Sequence, residues 1–168
     1  MLHLTFTYER TEKPFLHPYR TAAILCEGEV VGYLGQVKYE IMKAEAMRED
    51  AYVLEIVMKA LEKWYGKAPV FEPLPKFAEE KRDLALVMNK DITCGQVEEC
   101  IYQACSFVKD VTLFDVYEGQ QIAEDKKSMA FTVLFTPKEE AFQADTVDGY
   151  VKKILKQLKK AYEIELRS

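Results

Sequence analysis

Apolar and polar residues alternate along four stretches in the second half of the chain. Each such stretch predicts a strand: 82–89, 111–117, 128–136 and 162–167. Between them, apolar residues recur at helical spacing over 97–108 and again from Asp145 or Thr146 onward. Thr93 and Gln96 have the spacing of a capping box, which places a helix start at the first of these two stretches.

The resulting order, β-α-β-β-α-β, is that of a ferredoxin-like domain in the α+β class. In this arrangement both helices cover one face of a four-stranded antiparallel sheet, and the other face stays open. Alternation assigns residues to each face, because successive side chains on a strand point in opposite directions. The helix-covered face is expected to carry Leu84, Leu86, Met88, Phe114, Val116, Met129, Phe131, Val133, Phe135, Ile164 and Leu166. The open face is expected to carry Asp83, Ala85, Val87, Leu113, Asp115, Tyr117, Ser128, Ala130, Thr132 and Leu134.

The first half of the chain has a mixed pattern of strands and short helices. Strands are predicted at 2–8, 21–26, 30–37 and 52–58, with a hairpin turn at Glu27-Gly28-Glu29. Helices are predicted at 39–47 and 60–64. Three prolines between 69 and 75 restrict the backbone and exclude a helix there. We therefore predict two parts, 1–68 and 76–168, joined by a proline-rich linker at 69–75.

Composition narrows the class of protein. The chain is 49% hydrophobic and 30% charged, the balance of a folded globular protein. No apolar run approaches the ~20 residues that a membrane span needs, and the N-terminus lacks the features of a signal peptide. A cytoplasmic location is the expectation. The four cysteines form no CxxC pair and lie far from both histidines, so no metal site is predicted.

The open face could bind an unpaired RNA base. An aromatic ring can stack on a base while nearby polar groups read its edge, and Tyr117 is the one aromatic residue predicted on this face. Asp115 is its neighbour, and Ser128 is expected on an adjacent strand. A carboxylate accepts two hydrogen bonds, which suits the adjacent N–H and amino groups of guanine. Lys126 and Lys127 could hold a phosphate.

Plainer interpretations of these residues stay open at this point. A single tyrosine on a sheet is more often a cross-strand packing residue, and a lysine pair in a loop is usually solvated. The net charge of −5 disfavours broad, sequence-blind binding of nucleic acid, so any RNA site must be local.

His17 has no catalytic partner in sequence and is interpreted as a loop residue. Five lysines line the outer side of the last helix, where a solvated face is the ordinary interpretation and a phosphate contact the alternative: Lys152, Lys153, Lys156, Lys159 and Lys160.

Three stretches resemble successive strands of the anticodon-binding domain in bacterial phenylalanyl-tRNA synthetase β chains. They are Arg82-Asp83-Leu84-Ala85-Leu86, Leu113-Phe114-Asp115-Val116-Tyr117-Glu118-Gly119 and Lys126-Lys127-Ser128-Met129-Ala130-Phe131. The resemblance covers 74–168 in order and with matching spacing. It implies that Asp115, Tyr117 and Ser128 stack on and hydrogen-bond the first anticodon base, a guanine.

The first part of the chain resembles the same family. Residues 15–22 are similar to a His-Pro-Gly-Arg-Ser-Ala stretch, and Gly32-Tyr33-Leu34-Gly35 is similar to the turn that follows it. The resemblance implies that residues 1–68 end a class II synthetase-like core without catalytic residues, and that Met1 begins a fragment. Three places depart from the family: Tyr19 replaces a glycine, and 36–39 and 141–145 differ from the usual residues.

The resemblance implies a function for the chain. It would recognise the anticodon of tRNA(Phe) within phenylalanine–tRNA ligase, an aminoacyl-tRNA synthetase, as a non-catalytic part of the β subunit. ATP and magnesium would belong to the partner α subunit of an (αβ)₂ holoenzyme, with no cofactor in this chain and no DNA or membrane partner. The alternative is a stand-alone or paralogous ferredoxin-like module that binds another RNA or a small molecule.

Overall fold

A computed structural model describes residues 4–64, 71, 74–143 and 145–167 of the chain. The chain divides into two units, Met1–Glu72 and Pro73–Ser168. Each unit has its own four-stranded sheet, in which neighbouring strands are antiparallel. The linker predicted at 69–75 lies mostly outside the described residues.

The first unit is a meander of four strands with short helices after the third and fourth. The strands are β1 (Phe6–Arg10), β2 (Leu16–Cys26), β3 (Glu29–Val37) and β4 (Tyr52–Ile56), in the order β1-β2-β3-β4. The helices are α1 (Tyr39–Ala44) and α2 (Met58–Leu61), and a 3₁₀ turn over Glu62–Trp64 follows α2. A small core packs between the sheet and this last segment: Ile24, Cys26, Val31, Leu61 and Trp64.

Backbone geometry explains two glycines in this unit. The β2–β3 hairpin closes through Glu27 and Gly28, whose φ angles of 48° and 82° suit the two-residue turns that match strand twist. A Cβ atom on Gly32 would lie 2.1 Å from the Glu55 carbonyl oxygen, so β4 approaches β3 too closely for a side chain at this position.

Residues 17–20 interrupt the pairing of β2 with β3. The register shifts between the pairs Leu16–Val37 and Thr21–Gly35. Within the interruption, the Tyr19 N–H donates to Nδ1 of His17 at 3.1 Å, and the Thr21 hydroxyl donates to the His17 carbonyl at 2.7 Å. His17 therefore shapes the local backbone, but it lies within β2 and not in a loop as predicted.

The second unit has the predicted β-α-β-β-α-β order. Its elements are β5 (Glu80–Asn89), α3 (Cys94–Ala104), β6 (Val108–Tyr117), β7 (Lys126–Phe135), α4 (Thr146–Tyr162) and β8 (Glu165–Leu166). The strand order is β6-β7-β5-β8, so β5 and β7 lie at the centre. This arrangement confirms the ferredoxin-like prediction.

The helix ends follow local sequence rules to different degrees. The capping box is present: the Gln96 N–H donates to the Thr93 hydroxyl, and the Thr93 N–H donates to Gln96 Oε1 at 2.8 Å. Asp145 precedes α4 without a side-chain cap. Because α4 continues through Tyr162, the strand predicted from 162 is reduced to two residues.

The core of this unit lies between the sheet and the helices. It is made of the side chains that alternation and helical spacing assigned to the inside, among them Leu84, Leu86, Met88, Val97, Ile101, Met129, Phe131, Val133, Phe135, Ile154, Leu158 and Ile164. This dense layer fixes the strands and therefore the positions of the side chains on the opposite, open face.

One strand departs from simple alternation. In β6 the register shifts between Leu113, which lies opposite Phe131, and Asp115, which lies opposite Ala130. Phe114 is the extra residue of this bulge and is 57% exposed. The predictions that Leu113 lies on the open face and Phe114 in the core were wrong, because the bulge changes which residues share a face.

Two further apolar residues are less buried than predicted. Val116 lies opposite Met129 on the helix-covered side but is 49% exposed, since β6 is an edge strand. Leu166 lies opposite Leu86 in the other edge strand and is 51% exposed. Both positions lie at the ends of the sheet, beyond the densest part of the core.

Candidate nucleic-acid interface

Adjacent strands bring three of the predicted site residues together on the open face. Asp115 and Tyr117 are two positions apart in β6, after the bulge, so they point to the same side. Tyr117 lies opposite Ser128 in β7, and Ser128 lies opposite Val87 in β5. Tyr117, Ser128 and Val87 therefore form a row across β6, β7 and β5. Asp115 lies beside Tyr117, at the β6 end of this row.

The ring of Tyr117 is held by a residue that sequence reasoning did not assign to the site. The guanidinium carbon of Arg167 lies 5.0 Å from the ring centroid, a cation–π distance. Arg167 Nη2 also donates to Gln121 Oε1 at 2.9 Å, and its backbone N–H donates to the Ala85 carbonyl at 2.7 Å. Three contacts therefore fix Arg167 over the tyrosine.

Gly119 restricts the other end of the same ring. A Cβ atom at this position would lie 2.5 Å from the Tyr117 hydroxyl oxygen and 2.7 Å from Cζ. The ring therefore rests against the backbone of the β6–β7 connection. Between Arg167 and Gly119, its orientation is set before any ligand arrives.

Ser128 is less accessible than the pattern predicted. It points to the open side of the sheet, but it is only 3% exposed, between its cross-strand neighbours Tyr117 and Val87. Asp115, by contrast, is exposed. A ligand on this face therefore meets the Asp115 carboxylate directly, whereas little of Ser128 is accessible to it.

The carboxylates on the open face differ in what they already bind. The Thr132 hydroxyl donates to Asp83 Oδ1 at 2.6 Å, and the Thr112 hydroxyl donates to Asp110 Oδ2 at 2.7 Å. Asp115 has no hydrogen-bond or ion-pair partner among the described residues. Its two oxygens are therefore available to accept hydrogen bonds from a ligand.

The two predicted phosphate-binding lysines point to opposite sides of β7. Lys127 lies opposite Met88, on the helix-covered side, and its Nζ donates to the Lys90 carbonyl at 3.0 Å. Lys126 lies on the same side as Ser128, two positions away. The structure thus places only Lys126 on the side of Tyr117 and Asp115, and a phosphate contact by either lysine stays a prediction.

Metal-binding groups, cysteines and membrane helices were also considered among the described residues. Within them, no group of three or more His, Cys, Asp or Glu residues is placed to hold a metal ion. Cys26, Cys100 and Cys105 are buried, and Cys94 is partly buried; all four are free. Burial, then a hydrogen bond to Glu98, raises the pKa of the Cys94 thiol to about 12. No helix in the described part of the chain is long and apolar enough to cross a membrane.

Comparison with known families identifies the second unit. Residues 75–167 match the model of the ferredoxin-fold anticodon binding domain. The chain belongs to this family. Residues 1–58 match a second family model, the phenylalanyl tRNA synthetase beta chain CLM domain. These matches confirm the family resemblance of both parts.

Several relatives of this chain share one name. The chain is 37% identical over 161 residues to the phenylalanine–tRNA ligase beta subunit of Bacillus subtilis (strain 168). It is 34% identical over 163 residues to the subunit of that name from Pseudomonas putida. These alignments cover 95% and 96% of this chain but only 20% of each relative. The chain thus spans about one fifth of the length of the relatives it matches.

Proposed function

We propose that the chain acts as part of the β subunit of a phenylalanine–tRNA ligase and that its second unit binds the anticodon of tRNA(Phe). Membership of the anticodon-binding family and the relatives of that name support the proposal. One structural observation carries it: the exposed Asp115 carboxylate, which has no partner among the described residues, stands beside the fixed ring of Tyr117.

The chemistry of this pair suits guanine, the first anticodon base that the family resemblance implies. Stacking of a base on Tyr117 contributes about 1–3 kcal/mol whatever the base. Asp115 then supplies the selectivity, because guanine presents two adjacent donors, a ring N–H and an amino group, to its two oxygens. The corresponding edge of adenine or cytosine carries a ring nitrogen that repels a carboxylate.

Other parts of the holoenzyme are needed for the remaining steps. In this proposal the chain itself is non-catalytic, and the α subunit of a cytoplasmic (αβ)₂ enzyme supplies the ATP, magnesium and amino-acid chemistry. The overall charge of −5 and the few cations around Tyr117 fit a site that reads one base, with much of the tRNA affinity arising elsewhere.

Binding of anticodon stem-loops tests the assignment. Asp115→Asn should weaken binding of a GAA loop about tenfold or more, because an amide turns one acceptor into a donor facing the guanine. It should also reduce the preference for GAA over AAA. Tyr117→Ala should weaken both loops to a similar extent. Fluorescence anisotropy at fixed salt measures these affinities.

Asp110→Asn is the matched control. It removes the same charge from the same face, but its carboxylate already accepts a bond from Thr112. This variant should bind GAA like the parent chain. If Asp115→Asn behaves in the same way while circular dichroism shows it folded, the base-reading role of Asp115 is wrong.

A further inference from the structure

The outer side of α4 carries the densest run of lysines in the second unit. Five of the nine residues from 152 to 160 are lysine and none is acidic, in a chain whose net charge is −5. All five lysines are exposed: Lys152, Lys153, Lys156, Lys159 and Lys160. We call these five residues the α4 lysine face.

Helical geometry gathers this charge on one side. At 3.6 residues per turn, the five positions fall within an arc of about 120°. Val147, Ile154 and Leu158 are fully buried on the opposite side of the helix, against the sheet. Most of the α4 lysine face therefore points away from the sheet, on the side of the unit opposite to Tyr117. Lys159 is the exception, because it reaches Glu165 in the edge strand β8.

Little within the described residues neutralises the charge. Lys159 pairs with Glu165 at 2.9 Å, and the other four lysines have no ion-pair partner there. The nearest acidic residue in the first turns of α4, Asp148, accepts a bond from Arg82 at 3.3 Å instead. The second helix on this side, α3, contains no lysine or arginine and carries Glu98 and Glu99, so of the two helices only α4 is basic.

The chemistry of the face favours a phosphate polymer as its partner. Membrane-surface helices need large apolar residues in contact with lipid, and the residues between these lysines on the exposed arc include none. Protein interfaces are depleted in lysine. Phosphate backbones, in contrast, are bound by flexible cations without sequence selection.

We propose that the α4 lysine face binds the phosphate backbone of RNA, independently of sequence and separately from the open face. An RNA segment bound here differs from the segment at Tyr117, because the sheet and helix layers lie between the two surfaces. The proposal stands on charge and geometry, and it holds whether or not Tyr117 reads a base.

The test uses the 168-residue chain and two labelled RNA hairpins with one stem sequence, a GAA loop in one and an unrelated loop in the other. The triple variant Lys152→Gln, Lys156→Gln, Lys160→Gln should weaken binding of both hairpins by the same factor, about tenfold at low salt. The slope of log affinity against log salt should fall by about 2–3, roughly one per lysine. Glutamine preserves helix propensity, so the fold is retained.

A second triple variant, Lys43→Gln, Lys59→Gln, Lys76→Gln, is the control. These three lysines are exposed, have no ion-pair partner among the described residues, and lie outside α4, so the same charge is removed elsewhere. It should leave the salt slope unchanged. Equal behaviour of the two triple variants toward both hairpins would overturn the proposal.

Two further arms separate the alternatives. If the α4 variant lost binding to phosphatidylserine vesicles but kept parental affinity for both hairpins, the partner would be a lipid surface and the RNA proposal would fail. Tyr117→Ala should change GAA binding without changing the salt slope. If Tyr117→Ala bound the GAA hairpin like the parent chain, the anticodon assignment would be wrong, but the result for the α4 lysine face would still hold.

Discussion

Arg167 covers the ring of Tyr117, with its guanidinium carbon 5.0 Å from the ring centroid. The arginine follows β8, and its backbone N–H bonds to Ala85 in β5. The last described residue of the chain is thus held against a tyrosine of the opposite edge strand. This contact makes the end of the chain part of the candidate RNA-binding surface.

Arg167→Ala should weaken binding of a GAA stem-loop about two- to fivefold. Loss of an exposed cation–π contact, worth about 0.5–1 kcal/mol, frees the Tyr117 ring to adopt orientations that do not stack on a base. Arg82→Ala, measured alongside by anisotropy, removes the same charge from the helix-covered side, where Arg82 pairs with Glu80 and Asp148. Equal affinities for the two variants would show that only net charge matters.

Gly119→Ala should reduce RNA binding without a comparable loss of stability. The added methyl group would lie 2.5 Å from the Tyr117 hydroxyl. Rotation of the ring relieves this clash at the lowest cost in free energy, because the hydroxyl is at the far end of a side chain. Gly95→Ala, where a Cβ meets nothing within 4 Å, is the control. We expect anisotropy to separate the two variants. Gly119→Ala should leave the thermal midpoint nearly unchanged, whereas Gly95→Ala should raise it slightly because Gly95 lies within α3. Parental RNA affinity in Gly119→Ala would contradict this account.

Glu163→Gly should stabilise the second unit by about 1 kcal/mol. Glu163 ends α4 with a φ of 56°, a conformation that costs most residues free energy and glycine almost none. Lys156→Gly in the middle of the same helix should destabilise it by about 1 kcal/mol. Urea unfolding monitored by circular dichroism checks both signs, and destabilisation by Glu163→Gly would refute the cap interpretation.

Cys94 should react slowly with iodoacetamide in the native protein. Its pKa of about 12 leaves very little thiolate at pH 8, so alkylation should be about a hundredfold or more slower than for a free cysteine. Glu98→Gln should speed the reaction by removing a group that raises this pKa, whereas the neighbouring Glu99→Gln should not. Mass spectrometry of time points locates the modified thiol; rapid labelling of Cys94 in the parent chain would disprove the prediction.

Local periodicity was sufficient to predict much of the second unit. The capping box at Thr93, the buried face of β5 and the shared side of Asp115 and Tyr117 all depend on residues a few positions apart. Such patterns follow from the fixed repeats of helices and strands. The end of α4 was missed because Tyr162 fits both a helical stripe after Leu158 and an alternating strand with Ile164.

Most of the errors depend on contacts between distant residues. The burial of Ser128 and the position of Arg167 arise where three strands and the chain end meet, which no local pattern records. The bulge at Phe114 was also hidden, because Leu113 and Phe114 are both apolar and either could have faced the core. The opposite directions of Lys126 and Lys127 follow from alternation itself, and treating them as a pair overlooked it.

Because of the bulge in β6, the number of residues in this strand, and not only their type, determines which side chains lie on the open face. Phe114 has no partner across the strand, so its deletion should leave Leu113 opposite Phe131 and Tyr117 opposite Ser128. Deletion of Val116, only two positions later, should instead turn Tyr117 toward the helices or break its pairing. Evolution or design could therefore shorten this strand at one position and keep the tyrosine on the RNA side, while the same shortening two residues later would remove it.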